Sequence, residues 1–110
     1  MTTFPMISYR QFDEWLEQGK VAQLVDLREP WMYEHDRLWG SMNIPYEELE
    51  QRLDELPKDY TLVFYCDRGA KSMLACRDLG RMGYRCVDLA GGMLYYRGKF
   101  IDRRAPGAIE

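Results

Sequence analysis

The chain has 110 residues, enough for one domain, and its 15 Lys+Arg against 18 Asp+Glu give a net charge of −3. That balance excludes a general nucleic-acid or anionic-membrane surface, which needs clustered positive charge. No run of about 18 apolar residues offers a membrane span. Apolar residues at 46% can fill a core, which excludes disorder of the whole chain. Three cysteines are too few, and odd in number, for a disulfide scaffold. The first nine residues lack the basic and apolar regions of a secretory signal. The expected compartment is therefore the cytoplasm, where a cysteine is free, catalytic or metal-bound.

In chain order, Ser8 with Gln11 three residues later predicts a capped helix start, with Ile7 and Phe12 as its staple. Phe12, Trp15 and Leu16 form one buried stripe, and Gly19 is placed to end the helix. Val21–Leu27 predicts a strand. After Pro45, Tyr46, Leu49, Leu53 and Leu56 share a helical face, the acidic residues between them face solvent, and Pro57 stops the run. Leu62–Tyr65 predicts a strand buried on both faces. The spacing of Ala75, Leu79 and Met82 predicts a helix over 70–81, closed by Gly83. Cys86–Leu89 predicts another strand, and a short helix is expected after Gly91-Gly92. Strands alternating with helices predict an α/β fold whose parallel sheet is covered on both faces. The domain is expected to span 1–101, with 102–110 as a fraying tail.

The stretch that carries chemistry is Cys66-Asp67-Arg68-Gly69-Ala70-Lys71-Ser72. It puts a cysteine at the carboxyl end of a buried strand, followed by a short loop and a helix start, where open α/β sheets bind ligands. The helix N-terminus brings unpaired N–H groups and partial positive charge, and Arg68 and Lys71 bring formal charge. Each favours thiolate over thiol, and a loop that wraps a sulfur with its own amides also forms an anion nest. The implied chemistry is nucleophilic attack by sulfur, with backbone donors holding the intermediate.

These residues resemble the rhodanese-like domains, whose loop reads Cys-Arg-x-Gly-x-Arg-Ser. The Cys, Gly and Ser are in register here, and Lys71 replaces the last Arg. A second signature of that family is opened by Asp26-Leu27-Arg28-Glu29-Pro30-Trp31-Met32-Tyr33 and closed by Gly40-Ser41-Met42-Asn43-Ile44-Pro45, and a third appears as Leu89-Ala90-Gly91-Gly92 with Tyr96. The resemblance spans roughly Ile7 to Gly98. It departs from the family at Met32, at Asp36-Arg37-Leu38 and at Asp67, where a Glu, Gly-His-Ile and an Arg are common. The change to Lys71 trades a rigid fork for a point charge. The six residues from Cys66 to Lys71 match the loop length of the family's sulfurtransferases. Related phosphatases carry one more residue ending in Arg, and position 72 is Ser.

The resemblance implies a three-layer α/β/α fold with a central, mostly parallel sheet. It also implies a thiosulfate sulfurtransferase in which Cys66 is the catalytic nucleophile. Asp67, Arg68, Gly69, Ala70, Lys71 and Ser72 are expected to bind the substrate. Asp26 and Arg28 are expected to support that loop from the neighbouring strand end. The partners would be a small anionic donor such as thiosulfate and a thiol or protein acceptor, with no metal and no organic cofactor. The alternative reading is a non-catalytic interaction module on the same fold; a reductase acting on an oxyanion such as arsenate is a fainter one. Cys76 and Cys86 are expected to be core thiols, and His35 a surface loop residue. Trp31, Met32, Trp39 and Met93 could form an apolar rim for a partner, or simply pack.

Overall fold

The computed structural model describes residues 5–103. Ser8 caps helix α1, Tyr9–Glu17, as a capping box: its Oγ accepts from Gln11 N–H at 3.2 Å, and its own N–H donates to Gln11 Oε1 at 3.1 Å. The helix buries Phe12 completely, and Gly19 follows it at φ +71°.

Five strands form one sheet: β1 Met6–Ile7, β2 Gln23–Asp26, β4 Ser41–Asn43, β5 Thr61–Tyr65 and β6 Arg85–Leu89. Their order is β1-β6-β5-β2-β4, and every neighbouring pair is parallel. All the strands therefore point their carboxyl ends to one edge, and β5 runs down the middle. Leu62, Val63, Phe64 and Tyr65 are fully buried because both faces are covered. Leu62 and Phe64 pack with Ala75, Cys76 and Leu79 of helix α3, Ala70–Arg81. Val63 and Tyr65 face the opposite layer, with Phe12 and Tyr96. The result is the expected three-layer α/β/α architecture.

The short elements depart from the sequence reading. Pro30–His35 is a helix, α2, opened by Pro30 at its first position. At six residues it is too short to display a period. Asp36–Leu38 (β3) pairs antiparallel with Ile101–Arg103 (β7) in a separate ribbon. Asp102 and Arg103 are thus strand residues rather than tail, while 104–110 lie outside the described residues. The segment Tyr46–Glu55 is wound as a 3₁₀ helix with a break at Arg52. That winding carries buried Leu49, and Leu56 just beyond it, onto the sheet. Arg52 bonds Glu48 and Glu55 across the break. Met82 caps α3 and is exposed instead of sharing its buried stripe. Among the described residues, no helix is long and apolar enough to cross a membrane.

Candidate functional site

Cys66 directly follows β5, at the centre of the sheet's carboxyl edge. The residue is 4% exposed. The loop behind it closes on its sulfur: Gly69 N–H donates to Sγ at 3.1 Å, and Ser72 N–H lies 3.5 Å away. The thiol in turn lies 3.5 Å from Ser72 Oγ, and the Ser72 hydroxyl donates to the Gly69 carbonyl at 3.2 Å. Gly69 caps α3 at φ +105°, a left-handed conformation that a side chain would strain. A Cβ there would just touch the backbone of Gly91, at 3.4 Å, so the strain would come from φ.

The loop is held from behind as well. Gly91 and Gly92 turn the chain into the short helix α4, Gly92–Tyr95, at φ +80° and +64°. Met93 N–H donates to the Cys66 carbonyl, and Leu94 N–H to the Asp67 carbonyl, both at 2.9 Å. With these two carbonyls drawn toward α4, the loop is free to present N–H groups to the sulfur. Such an arrangement stabilises negative charge at Sγ without moving any group.

A cleft of about 260 Å³ opens in front of Cys66. Its lining includes Arg28, Met32, Asp67, Arg68, Ala70 and Lys71. The two loop cations are engaged at the surface. Lys71 Nζ pairs with Glu47 at 3.2 Å, and Arg68 sits 3.8 Å from Asp67. The Glu47 carboxyl is held below the usual carboxylate range by its own backbone N–H first and by Lys71 second. The charge of Lys71 therefore faces the cleft already partly answered.

Asp26 and Arg28 form a buried pair rather than a surface one. Arg28 donates to Asp26 from Nε at 3.1 Å and from a terminal nitrogen at 2.8 Å, and its backbone N–H donates to Asp26 at 2.8 Å. A second terminal nitrogen reaches Asp36 Oδ1 at 3.2 Å. Burial opposes the Arg28 charge, but the hydrogen bonds and attraction of Asp26 outweigh it and hold the guanidinium above its ordinary value. Asn43 Nδ2 ties down both the Asp26 carbonyl at 2.9 Å and the Arg28 carbonyl at 3.0 Å. Asn43 and Asp36 escaped the sequence reading as supports, although both stand inside the second signature. In the sequence Asp36 stands out only as a departure from that signature.

A second cleft, of about 340 Å³, adjoins the first through Arg28, Met32 and Asp67. Trp31, Met32 and Met93 line it, as does exposed His35, the last residue of α2. Trp39 stands apart on the turn between β3 and β4. Cys76 and Cys86 are buried; a hydrogen bond between them, and then burial, push the Cys76 thiol far above its ordinary range. Among the described residues, no three His, Cys, Asp or Glu side chains gather into a metal site.

The model of the rhodanese-like domain matches residues 8–99. The thiosulfate sulfurtransferase PspE of Escherichia coli is 37% identical over 71 residues, covering 63% of this chain and 68% of PspE. The putative sulfurtransferase YtwF of Bacillus subtilis is 28% identical over 93 residues, covering 84% of this chain and 90% of YtwF. Among solved structures, a rhodanese-related protein from Thermoplasma volcanium superposes with a TM-score of 0.78 at 26% identity, covering 84% of this chain and 90% of that one. With the family match running from the cap of α1 to the residues just before β7, the chain belongs to the rhodanese-like domain family.

Proposed function

We propose that this protein is a thiosulfate-type sulfurtransferase that carries sulfur on Cys66. Family membership and the named sulfurtransferases among its relatives support sulfur transfer in general. The observation that carries the finer reading is the Cys66 sulfur itself, buried at the floor of a cleft and facing the N–H groups of Gly69 and Ser72. The Cys66 thiolate attacks the outer sulfur of the donor. The donor's S–S bond breaks, and sulfite leaves with its electron pair. The outer sulfur of the resulting Cys66 persulfide carries the negative charge, which the loop N–H groups of residues 67–72 receive. A thiolate acceptor then attacks that outer sulfur, takes it away as its own persulfide, and restores the Cys66 thiolate. Arg28, held between Asp26 and Asp36, shapes the cleft wall, and Lys71 and Arg68 draw the anionic donor in. We propose the cytoplasm as the place of action.

Intact mass spectrometry after thiosulfate treatment tests the reading. One sulfur, about 32 Da, should appear on Cys66 by the covalent route, and a reductant should remove it. Sulfur on Cys76 or Cys86 with Cys66 unmodified, or no added mass on the folded protein, would reject it.

A further inference from the structure

Asp88 is a fully buried acid with no place in the transfer just described. Neither of its carboxyl oxygens completes a hydrogen bond among the described residues. Its position follows from register. Asp88 of β6 lies beside Phe64 of β5, and side chains two apart along a strand share a face, so Phe64, Cys66 and Asp88 all face α3. Cys86, two residues earlier on β6, shares that face. Ser72 and Cys76, one helical turn apart and both fully buried, cover the face from α3. Ser72 thus stands between Asp88 and the sulfur: its hydroxyl is in reach of Asp88 on one side, and its Oγ is 3.5 Å from Cys66 Sγ on the other.

A bare carboxylate in such a place is costly, whereas a protonated carboxyl has one hydrogen to give and needs one acceptor. Burial pushes the Asp88 carboxyl above its ordinary value, and the Ser72 hydroxyl, which would donate to an ionised carboxylate, opposes that rise without cancelling it. The hydroxyl that stands beside it among the described residues is that of Ser72. The Ser72 hydrogen can leave the Gly69 carbonyl without orphaning it, because Met73 N–H also donates to that carbonyl at 3.1 Å.

Taking Cys66 as the working nucleophile of the proposed reaction, we infer that Asp88 is a positioning residue for it: the Asp88 carboxyl O–H donates to Ser72 Oγ and turns the Ser72 hydroxyl toward the negative sulfur of the thiolate or persulfide. An ionised Asp88 would do the reverse. It would pull the Ser72 hydrogen to itself and set a second negative charge behind the sulfur.

The test is the rate of Cys66 alkylation by iodoacetamide at pH 7, assigned by peptide mass, in the full chain. Asp88→Asn keeps a donor and cannot ionise, so its rate should stay within about twofold of wild type. Asp88→Val removes the donor and should slow Cys66 by about fivefold, the worth of one hydrogen bond. In a Ser72→Ala background, Asp88→Val should have no further effect. Equal slowing with and without Ser72 would mark a merely structural role and overturn the inference. If Asp88→Val does not fold, Asp88→Asn decides: acceleration beyond twofold would show that Asp88 works as a carboxylate, and an equivalent loss would show that Asn cannot replace it, and either overturns the inference. Alkylation needs no sulfur donor, so a failure here is distinct from a failure of Cys66 to load sulfur from thiosulfate.

Discussion

Replacing Gly92 by Ala should damage the Cys66 loop from a residue that never touches the cleft in front of the sulfur. A Cβ on Gly92 would lie 2.4 Å from the Cys66 carbonyl oxygen and 2.7 Å from that of Asp67, where ordinary contact begins at 3.4 Å. Backbone, not a pliant side chain, must retreat by about 1 Å, and the two 2.9 Å bonds from Met93 and Leu94 go with it. The left-handed conformation at φ +64° adds strain for any residue with a Cβ. Strain of about 1–2 kcal/mol, with the loss of two hydrogen bonds at about 0.5–1.5 kcal/mol each, gives a destabilisation of about 2–5 kcal/mol. In a domain of this size, that lowers Tm by about 10 °C or more. A shift of about 1 Å at the reacting atom should also slow sulfur loading on the order of 100-fold. Gly19→Ala is the control. Gly19 is also left-handed, at φ +71°, but its Cβ would meet nothing within 4 Å. It should cost about 1–2 kcal/mol from φ alone and load sulfur nearly normally. Thermal melts and time-resolved intact mass after thiosulfate give both readouts. If Gly92→Ala melts and loads like Gly19→Ala, α4 does not set the loop and the reasoning fails.

The buried pair offers a second test: Arg28→Met strands Asp26 without a counter-charge and should cost about 3–5 kcal/mol in urea unfolding, whereas an exposed pair would cost under about 1 kcal/mol. Releasing Lys71 by Glu47→Gln should raise kcat/KM for thiosulfate by about two- to fivefold at low salt, and the gain should vanish at high salt. With that competitor gone, Lys71→Arg should raise it further, by up to about tenfold, because a planar fork suits the donor's oxygens better than an ammonium does. Steady-state kinetics with thiosulfate and cyanide report both changes. The buried carboxyl at position 88 predicts an inverted pH effect. Its folded-state proton affinity is raised, so the folded protein binds more protons than the unfolded one, and stability falls as pH rises above the ordinary carboxylate range. Asp88→Asn should abolish that fall, as urea melts across pH 4 to 8 would register.

The core strands were legible because their residues speak one at a time. Leu62 to Tyr65 is apolar without alternation, which only a doubly covered strand needs, and Ser8 with Gln11 names its own helix start. The Cys66 loop was legible because cysteine, glycine and serine carry their chemistry in their identity. What stayed hidden depends on distant partners. Asp36–Leu38 is a strand only because Ile101–Arg103 lies beside it, and α2 is too short for a period to emerge. The pairing of Lys71 with Glu47 joins residues 24 apart, so the sequence displayed both charges but not their mutual engagement. Asp26 and Arg28 looked equally able to form a surface pair, and only Tyr65, Asp36 and the layer above them bury it.

The edge of the sheet beside β6 is closed by β1, a strand of two residues whose partners lie about eighty positions away along the chain. Its grip consists of a few backbone bonds, Asp88 N–H to the Pro5 carbonyl at 3.0 Å and Ala90 N–H to the Ile7 carbonyl at 2.9 Å among them. The rest of the sheet assembles from strands much nearer each other in sequence, so on the way to the native state this clasp fastens after β5 and β6 have met. As the shortest strand of the sheet, it is where local opening is expected first; such a release would uncover the backbone of β6 while leaving the Cys66 loop tied to α3 and α4.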